Sequence, residues 1–515
     1  MDDRSAYEYF TSSIRGRKAS LYYLGRTFSG DEVIAHSDAV ASFLSERGIK
    51  KGDVVAINLP NTPECIFTIY ATNKLGAIAY VTHPLLPACA LRMGIKESGA
   101  KILFAMDTLA EEVGVPTILC DGVGYLPFFP RIIARLFRKK SKVSGERFPY
   151  GRSTSIPFAP VGRGEDVALY LPSGGTTGEP KVIRVTNAAL NLNATATLSL
   201  ARMPVEGFGV LLALPFFHGF GLSSSLHGGV SSGAIGVILP FLDYKRAAKY
   251  VKSGRVKYIL AVPNIFKKLL SEPDFRSGMG NMLLAFSGGD TLPDRVKREY
   301  DALAAEKGSI SRLFQGYGLA ETVSVCVANC PGEDKMGTIG KPVYAEVLIV
   351  DEKGEALPQG EIGEIAVKTE CMMKGYLGQP DFTEEYLLTG DLGYYDEEGY
   401  LVFSGRKKRI IVIGGMNIYP LEIERTVCEV DFVTAAAAEE YRENDKPKIC
   451  LFVTGSSTLS AEEKERVILS HLSARMIKYA LPSRVIFLPA FPMTPVGKVD
   501  HNALKAMIPA VLKNK

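Results

Sequence analysis

The chain has 515 residues, 46% hydrophobic and 23% charged, the composition of a globular protein with roughly three domain-sized units or one large unit and a smaller one. A formal charge of +4 on this length is too weak to imply a nucleic-acid partner, and eight scattered cysteines without finger-like spacing predict reduced, partly buried thiols rather than a disulfide scaffold. The opening MDDRSAYEYF carries acids and no apolar core, and no apolar run reaches the roughly 18 residues that span a bilayer, so a cytoplasmic protein without a secretory signal is expected.

Strand and helix patterns alternate along the chain. Helical periodicity over 34–44 is followed by a buried-strand run at 54–59, a helical pattern over 63–75 and a strand at 77–81. Residues 126–142, LPFFPRIIARLFRKKSK, combine Phe128, Phe129, Ile132, Ile133, Leu136 and Phe137 with six basic side chains, and predict a basic amphipathic helix with Pro130 near its first turn. The same pattern fits an ordinary surface helix or a peripheral contact with the inner membrane surface. Strand runs at 167–171, 209–214, 234–239, 258–262 and 283–286 alternate with polar-faced helices near 243–254, 264–271 and 293–306, which argues for layered α/β sheets. The texture becomes strand-rich at 343–369. A smaller α/β part is expected from 405, with a helix over 460–478 opened by a Ser460/Glu463 capping box and a strand at 485–488.

Five segments carry chemistry. After the strand at 167–171, SGGTTGEPK offers backbone N–H groups at Gly174, Gly175 and Gly178, hydroxyls at Ser173, Thr176 and Thr177, and the cation of Lys181, a set suited to a polyphosphate. It is not a Walker A loop, because Glu179 and Pro180 separate the last glycine from the lysine. Leu214–Leu222 reads LPFFHGFGL and places Phe217 and His218 in an apolar setting. The third segment, QGYGLAET, supplies Tyr317 as an aromatic face for a base, Gly318, and Glu321 as a hard oxygen donor, with Gly288 and Gly289 upstream. The fourth pairs Asp391, an acceptor for hydroxyls, with Arg406 in GRKKR. The last is PMTPVGK, ending in Lys498. Taken singly, each admits an ordinary structural role as a turn, a core histidine or a surface charge.

In this order the segments resemble the motifs of the ATP-dependent adenylate-forming superfamily, most like acyl-CoA synthetases, with features similar to fatty-acyl-AMP ligases. The resemblance implies an α/β fold: a large N-terminal adenylation domain of several subdomains, with layered α/β sheets and a strand-rich part, over 1–404, and a small mobile C-terminal domain over 405–515. It places Thr176, Thr177 and Lys181 at the ATP phosphates, Tyr317 on adenine, Asp391 and Arg406 at the ribose, and Glu321 on Mg²⁺. It makes Lys408 the hinge and brings Lys498 into the site for adenylation. Phe217, His218 and Val262 would line the acid pocket, and Gly414 and Gly415 would admit the pantetheine of coenzyme A. Ala320 stands where many relatives have a threonine, and Val182 replaces a glycine. The expected reaction joins a medium- or long-chain fatty acid, or a hydrophobic aryl acid, to coenzyme A through an acyl-adenylate. Loading of a phosphopantetheinyl carrier protein and a non-catalytic nucleotide-binding module are the alternatives.

Overall fold

The computed structural model describes residues 2–136, 141, 143–152, 159–173, 181–414, 416–443, 446–493 and 499–513, with the side chains of 135, 136 and 510–513 left undescribed. The chain forms two compact units, one of residues 1–346 with 368–385, the other of 347–367 with 386–515. The division falls within the strand-rich stretch. Both units are α/β, as the alternating patterns predict.

The larger unit is built on two sheets. Apolar runs make parallel strands, Val54–Asn58, Ile78–Val81 and Thr117–Cys120 fully buried and Ala100–Met106 buried apart from Lys101 and Met106, and an eight-stranded sheet grows on either side of them. Helix Pro63–Lys74 follows the first of these because Thr62 caps it, its side chain accepting from the Cys65 N–H, and Pro63 presets its first turn. The helix is buried on all sides, and each fully covered side chain such as Ile66, Phe67 or Ile69 contributes about 1.5–3 kcal/mol. The second, nine-stranded sheet carries the parallel strands Gly209–Leu212, Ile235–Ile238, Tyr258–Ala261, Leu284–Ser287 and Leu313–Gly318. In such a sheet the loops at the carboxyl ends of the strands gather at one edge, which is where ligand sites of open α/β sheets form.

A polar network inside this core fixes the segment after His218. Residues Phe220–Gly228 form a π-helix, overlapping the end of the 214–222 segment for which the resemblance implied pocket lining. His227 in it is fully buried; its Nε2 lies 3.0 Å from Asn191 Oδ1 and its Nδ1 3.0 Å from the Tyr70 hydroxyl. The Asn191 amide nitrogen donates to Arg4 O, so its oxygen faces the ring. Nε2 therefore carries the proton and Nδ1 accepts from Tyr70. Burial depresses the His227 pKa to about 3 and keeps the ring neutral.

The smaller unit contains the antiparallel strands Leu387–Tyr395 and Leu401–Arg406 and the first five residues of their neighbour Gly363–Thr369 in a four-stranded sheet, the hairpin Ile411–Ile413/Met416–Ile418, and a three-stranded sheet of Val433–Glu443, Lys446–Gly455 and Arg484–Leu488. Helices Pro420–Val427 and Ala461–Ser473 cover the latter around Ile423, Val427, Leu451, Ile468 and Leu472. The Ser460/Glu463 capping box forms as expected. The helix ends at Ser473, short of 478; the chain is extended at Ile477 and then makes a 3₁₀ turn over Lys478–Ala480. Among the described residues no helix is long and apolar enough to cross a membrane.

Candidate active site

The larger unit brings four sequence-distant segments together. Strand Leu313–Gly318 runs into the loop bearing Glu321, bulging between Tyr317 and Gly318 where it pairs with Val325–Ala328. Gly318 is required here: a Cβ would stand 1.6 Å from Ser324 O. The loop is held from within by Thr322, whose buried hydroxyl accepts from the Leu319 N–H at 3.0 Å and donates to Ser324 O at 2.9 Å. Val323 sits at φ +62°, a strained conformation for a β-branched residue, and its carbonyl lies so close to Gly219 that a Cβ there would approach to 2.4 Å. A hydrogen bond of 2.8 Å between the Ser224 and Ser324 hydroxyls adds a second tie. The LPFFHGFGL segment and the Tyr317–Glu321 loop are thus packed as one wall.

Phe217 is buried and touches two imidazoles, with ring centroids 4.6 Å from both His218 and His83. Gly288 lies flush against Phe220 and Gly316, and Gly289 faces Val262, whose Cγ1 would be 3.6 Å from an added Cβ. Ser287, Gly288, Gly289 and Val262 thereby continue the wall formed by Phe217, His218 and Phe220.

Glu321 and Lys181 meet through a residue the motif reading did not single out. The Tyr376 hydroxyl donates to Glu321 Oε1 at 3.0 Å, and Lys181 Nζ lies 4.6 Å from the centroid of the same ring. Burial and the Glu321 carboxylate push the Tyr376 pKa up, so the phenol stays protonated and remains a donor. Main-chain pairing fixes this arrangement. Gly375–Tyr376 pairs antiparallel with Val182–Thr186, Leu377 N donates to Val182 O, and Met373 N donates to Glu321 O at 2.7 Å. Buried Ser173 joins from the other end of the loop, its N–H on Lys181 O at 2.6 Å. A carboxylate, an ammonium and a neutral hydroxyl in one group suit a divalent cation with polyphosphate: oxygen for the metal, a cation for the phosphates. The sequence signal for Tyr376 was slight, a tyrosine in KGYLG far from the other motifs.

In the smaller unit Asp391 and Arg406 face each other across paired strands, with Arg406 Nε 3.1 Å from Asp391 Oδ1. Asp391 is buried and Arg406 partly exposed. Glu364 supports this pair: it accepts the Gly390 N–H at 2.9 Å and the Lys407 ammonium at 2.7 Å. Lys408 is exposed in the 3₁₀ turn Lys407–Arg409. Gly414 lies at the tip of the hairpin Ile411–Ile418 against the Tyr479 ring. Gly174, Gly175, Thr176, Thr177, Gly178, Gly415 and Lys498 lie outside the described residues. Of the eight cysteines, none is disulfide-bonded and only Cys89 is exposed.

Comparison with known proteins identifies relatives along the whole chain. The chain is 29% identical to the long-chain-fatty-acid–CoA ligase of Bacillus subtilis (strain 168), covering 95% of this chain and 91% of that protein. It is 27% identical to the 2-succinylbenzoate–CoA ligase of Geobacillus sp. (strain WCH70), covering 90% of each. The crystal structure of the anthranilate CoA ligase AuaEII in complex with anthranoyl-AMP has the same fold, with a TM-score of 0.85 at 22% identity over 99% of this chain and 98% of that one. The family model described as AMP-binding enzyme matches residues 12–377, and the chain belongs to that family, whose common chemistry is ATP-dependent formation of an acyl-adenylate.

Proposed function

We propose that the protein joins a hydrophobic carboxylic acid, a medium- or long-chain fatty acid or an aryl acid, to coenzyme A. The observation that carries the adenylation half is the grouping of Lys181, Tyr376 and Glu321. In this reading Glu321 holds Mg²⁺, and Tyr376 orients the carboxylate and supports the lysine. Lys181, with Thr176 and Thr177, binds the phosphates. Tyr317 covers adenine, and Asp391 and Arg406 take the ribose. Bound Mg²⁺ would supply charge neutralisation on the phosphates.

The acid needs no general base, since a carboxylate is already ionised at neutral pH. One of its oxygens attacks the α-phosphorus, the bond to the pyrophosphate oxygen breaks, and pyrophosphate carries away the charge. Lys498 stabilises that charge as it develops. A thiolate then attacks the carbonyl carbon of the mixed anhydride and AMP leaves. The part beyond Lys408 turns between these two steps, removing Lys498 so that pantetheine enters past Gly414 and Gly415.

The apolar character of Phe217, Phe220 and Val262 supports an uncharged acyl or aryl group, in keeping with the long-chain-fatty-acid–CoA ligase relative. His83 and His218, each tilted against the Phe217 ring, act as pocket walls in this reading. The test is a panel of fatty, aryl and amino acids with ATP, Mg²⁺ and coenzyme A, read as acid-dependent acyl-CoA. Thioester formation with hydrophobic acids supports the proposal. Adenylation without a thioester on free coenzyme A, but with acylation of a holo carrier protein, replaces the acceptor. Turnover confined to amino acids overturns the substrate class.

A further inference from the structure

Helix Phe128–Leu136 leaves its apolar face uncovered. Phe128 is 60% exposed, Phe129 76%, Ile132 43% and Ile133 58%, and their spacing places all four on one side of the helix. The two phenylalanine rings touch edge to face, with centroids 5.5 Å apart. The helix is anchored at its start: Tyr125 just before it is buried in the aromatic core, Arg131 N closes the first turn on Pro127 O at 2.9 Å, and the Arg131 guanidinium reaches back to Gly124 O at 3.3 Å. Four large apolar side chains held in water on a helix anchored in this way form an interaction surface.

The charge pattern selects its partner. Between Asp121 and Glu146 the sequence has no acidic residue, while 131–142 supplies six lysines and arginines. A second copy docked on this face would bring two such positive segments together, whereas an anionic surface neutralises them. More positive charge lies nearby. Arg246 is close enough to Tyr23 for its charge to act on the phenol, and Tyr23 bonds through its hydroxyl to Gly122 O at 2.6 Å, a few residues before the helix. The helix bearing Arg246, Tyr244–Lys252, also exposes Lys245 and Lys249.

We infer that helix Phe128–Leu136 is a docking element for anionic lipid bilayers, inserting Phe128, Phe129, Ile132 and Ile133 at the headgroup–acyl boundary while neighbouring basic residues meet the headgroups. The inference rests on no assignment in the nucleotide site. It would also place the enzyme where a hydrophobic acid partitions.

The chain contains no tryptophan, so Phe129→Trp creates a single emitter on this face without changing its character. With the full chain and vesicles of phosphatidylglycerol and phosphatidylcholine, the indole emission should shift to the blue and be quenched by bromine-labelled acyl chains, and both effects should weaken with added salt. In co-sedimentation, the combined serine variant Phe128→Ser, Phe129→Ser, Ile132→Ser and Ile133→Ser should reduce vesicle binding at least tenfold, with the thermal transition of the protein unchanged. An emission maximum that stays at the water-exposed position overturns the inference, as does equal binding by the serine variant. Concentration-dependent self-association that disappears in the serine variant, without vesicle binding, would assign the face to a second copy. Because the assay contains no nucleotide or acid, its outcome is separate from the fate of the proposed reaction.

Discussion

Removing a single oxygen from Tyr376 tests how the candidate site is assembled. Tyr376→Phe deletes the hydroxyl that donates to Glu321 Oε1 at 3.0 Å but keeps the ring that Lys181 Nζ approaches at 4.6 Å. A hydrogen bond to a charged group contributes about 1.5–3 kcal/mol, and because Glu321 and Tyr376 are only partly buried, about 1–2 kcal/mol is expected. That corresponds to a loss of about 5- to 30-fold in kcat/KM for adenylation. If Glu321 is the metal ligand, the loss concentrates at low Mg²⁺: the Mg²⁺ concentration giving half-maximal pyrophosphate release should rise, and saturating Mg²⁺ should recover much of the rate. Tyr376→Ala also removes the cation–π contact, about 0.5–1 kcal/mol at a partly exposed site, and should be worse than Tyr376→Phe with a raised KM for ATP. Wild-type Mg²⁺ dependence in Tyr376→Phe would refute the assignment of Tyr376 as the residue that positions Glu321. An equal loss at all Mg²⁺ concentrations would refute the metal role while leaving a structural one.

Lys498→Ala should abolish most adenylation, by at least about a hundredfold, and spare thioester formation from supplied acyl-adenylate; equal collapse of both half-reactions would contradict alternation about Lys408. Stability should fall with acid between about pH 6.5 and pH 3. His227 is neutral in the fold with its pKa lowered to about 3 by burial, and His36, partly buried, is lowered to about 4, so below 6.5 the unfolded chain binds protons that the folded chain refuses. The contribution is fully present above 6.5 and, for His227 alone, declines by about 1.4 kcal/mol per pH unit across that window, which urea titrations at several pH values would measure. His227→Gln should flatten this slope. Among the eight thiols Cys89 should react first with a thiol reagent under native conditions, and Cys89→Ser should remove that fast phase.

The sequence was most legible where one local rule acts. The helical pattern over 63–75 becomes helix Pro63–Lys74, Ser460 and Glu463 form a capping box, and the strands at 54–58 and 258–261 are plain apolar runs. Ends and unusual turns were less so, because partners distant in sequence decide them. The π-helix over 220–228 has no signal among the local patterns, because its register is set by Asn193, Ser324, Tyr70 and Asn191, bonded to Ser223, Ser224 and His227. The site divides in the same way. Tyr317, Glu321, Asp391 and Arg406 announced themselves by residue type within short motifs, and the structure gives Asp391 and Arg406 a direct pairing. Tyr376 did not, since its importance lies in a strand pairing that joins residues 375–376 to 183–184 and brings a phenol between a carboxylate and a lysine.

The most direct test of the central claim is exchange of labelled pyrophosphate into ATP by the purified chain, with Mg²⁺ and a hydrophobic carboxylic acid but no thiol. The account predicts acid-dependent exchange, with acyl-AMP detectable by mass spectrometry and the label lost in Lys498→Ala. Formation of ADP and phosphate, or absence of exchange with every hydrophobic acid offered, would contradict it.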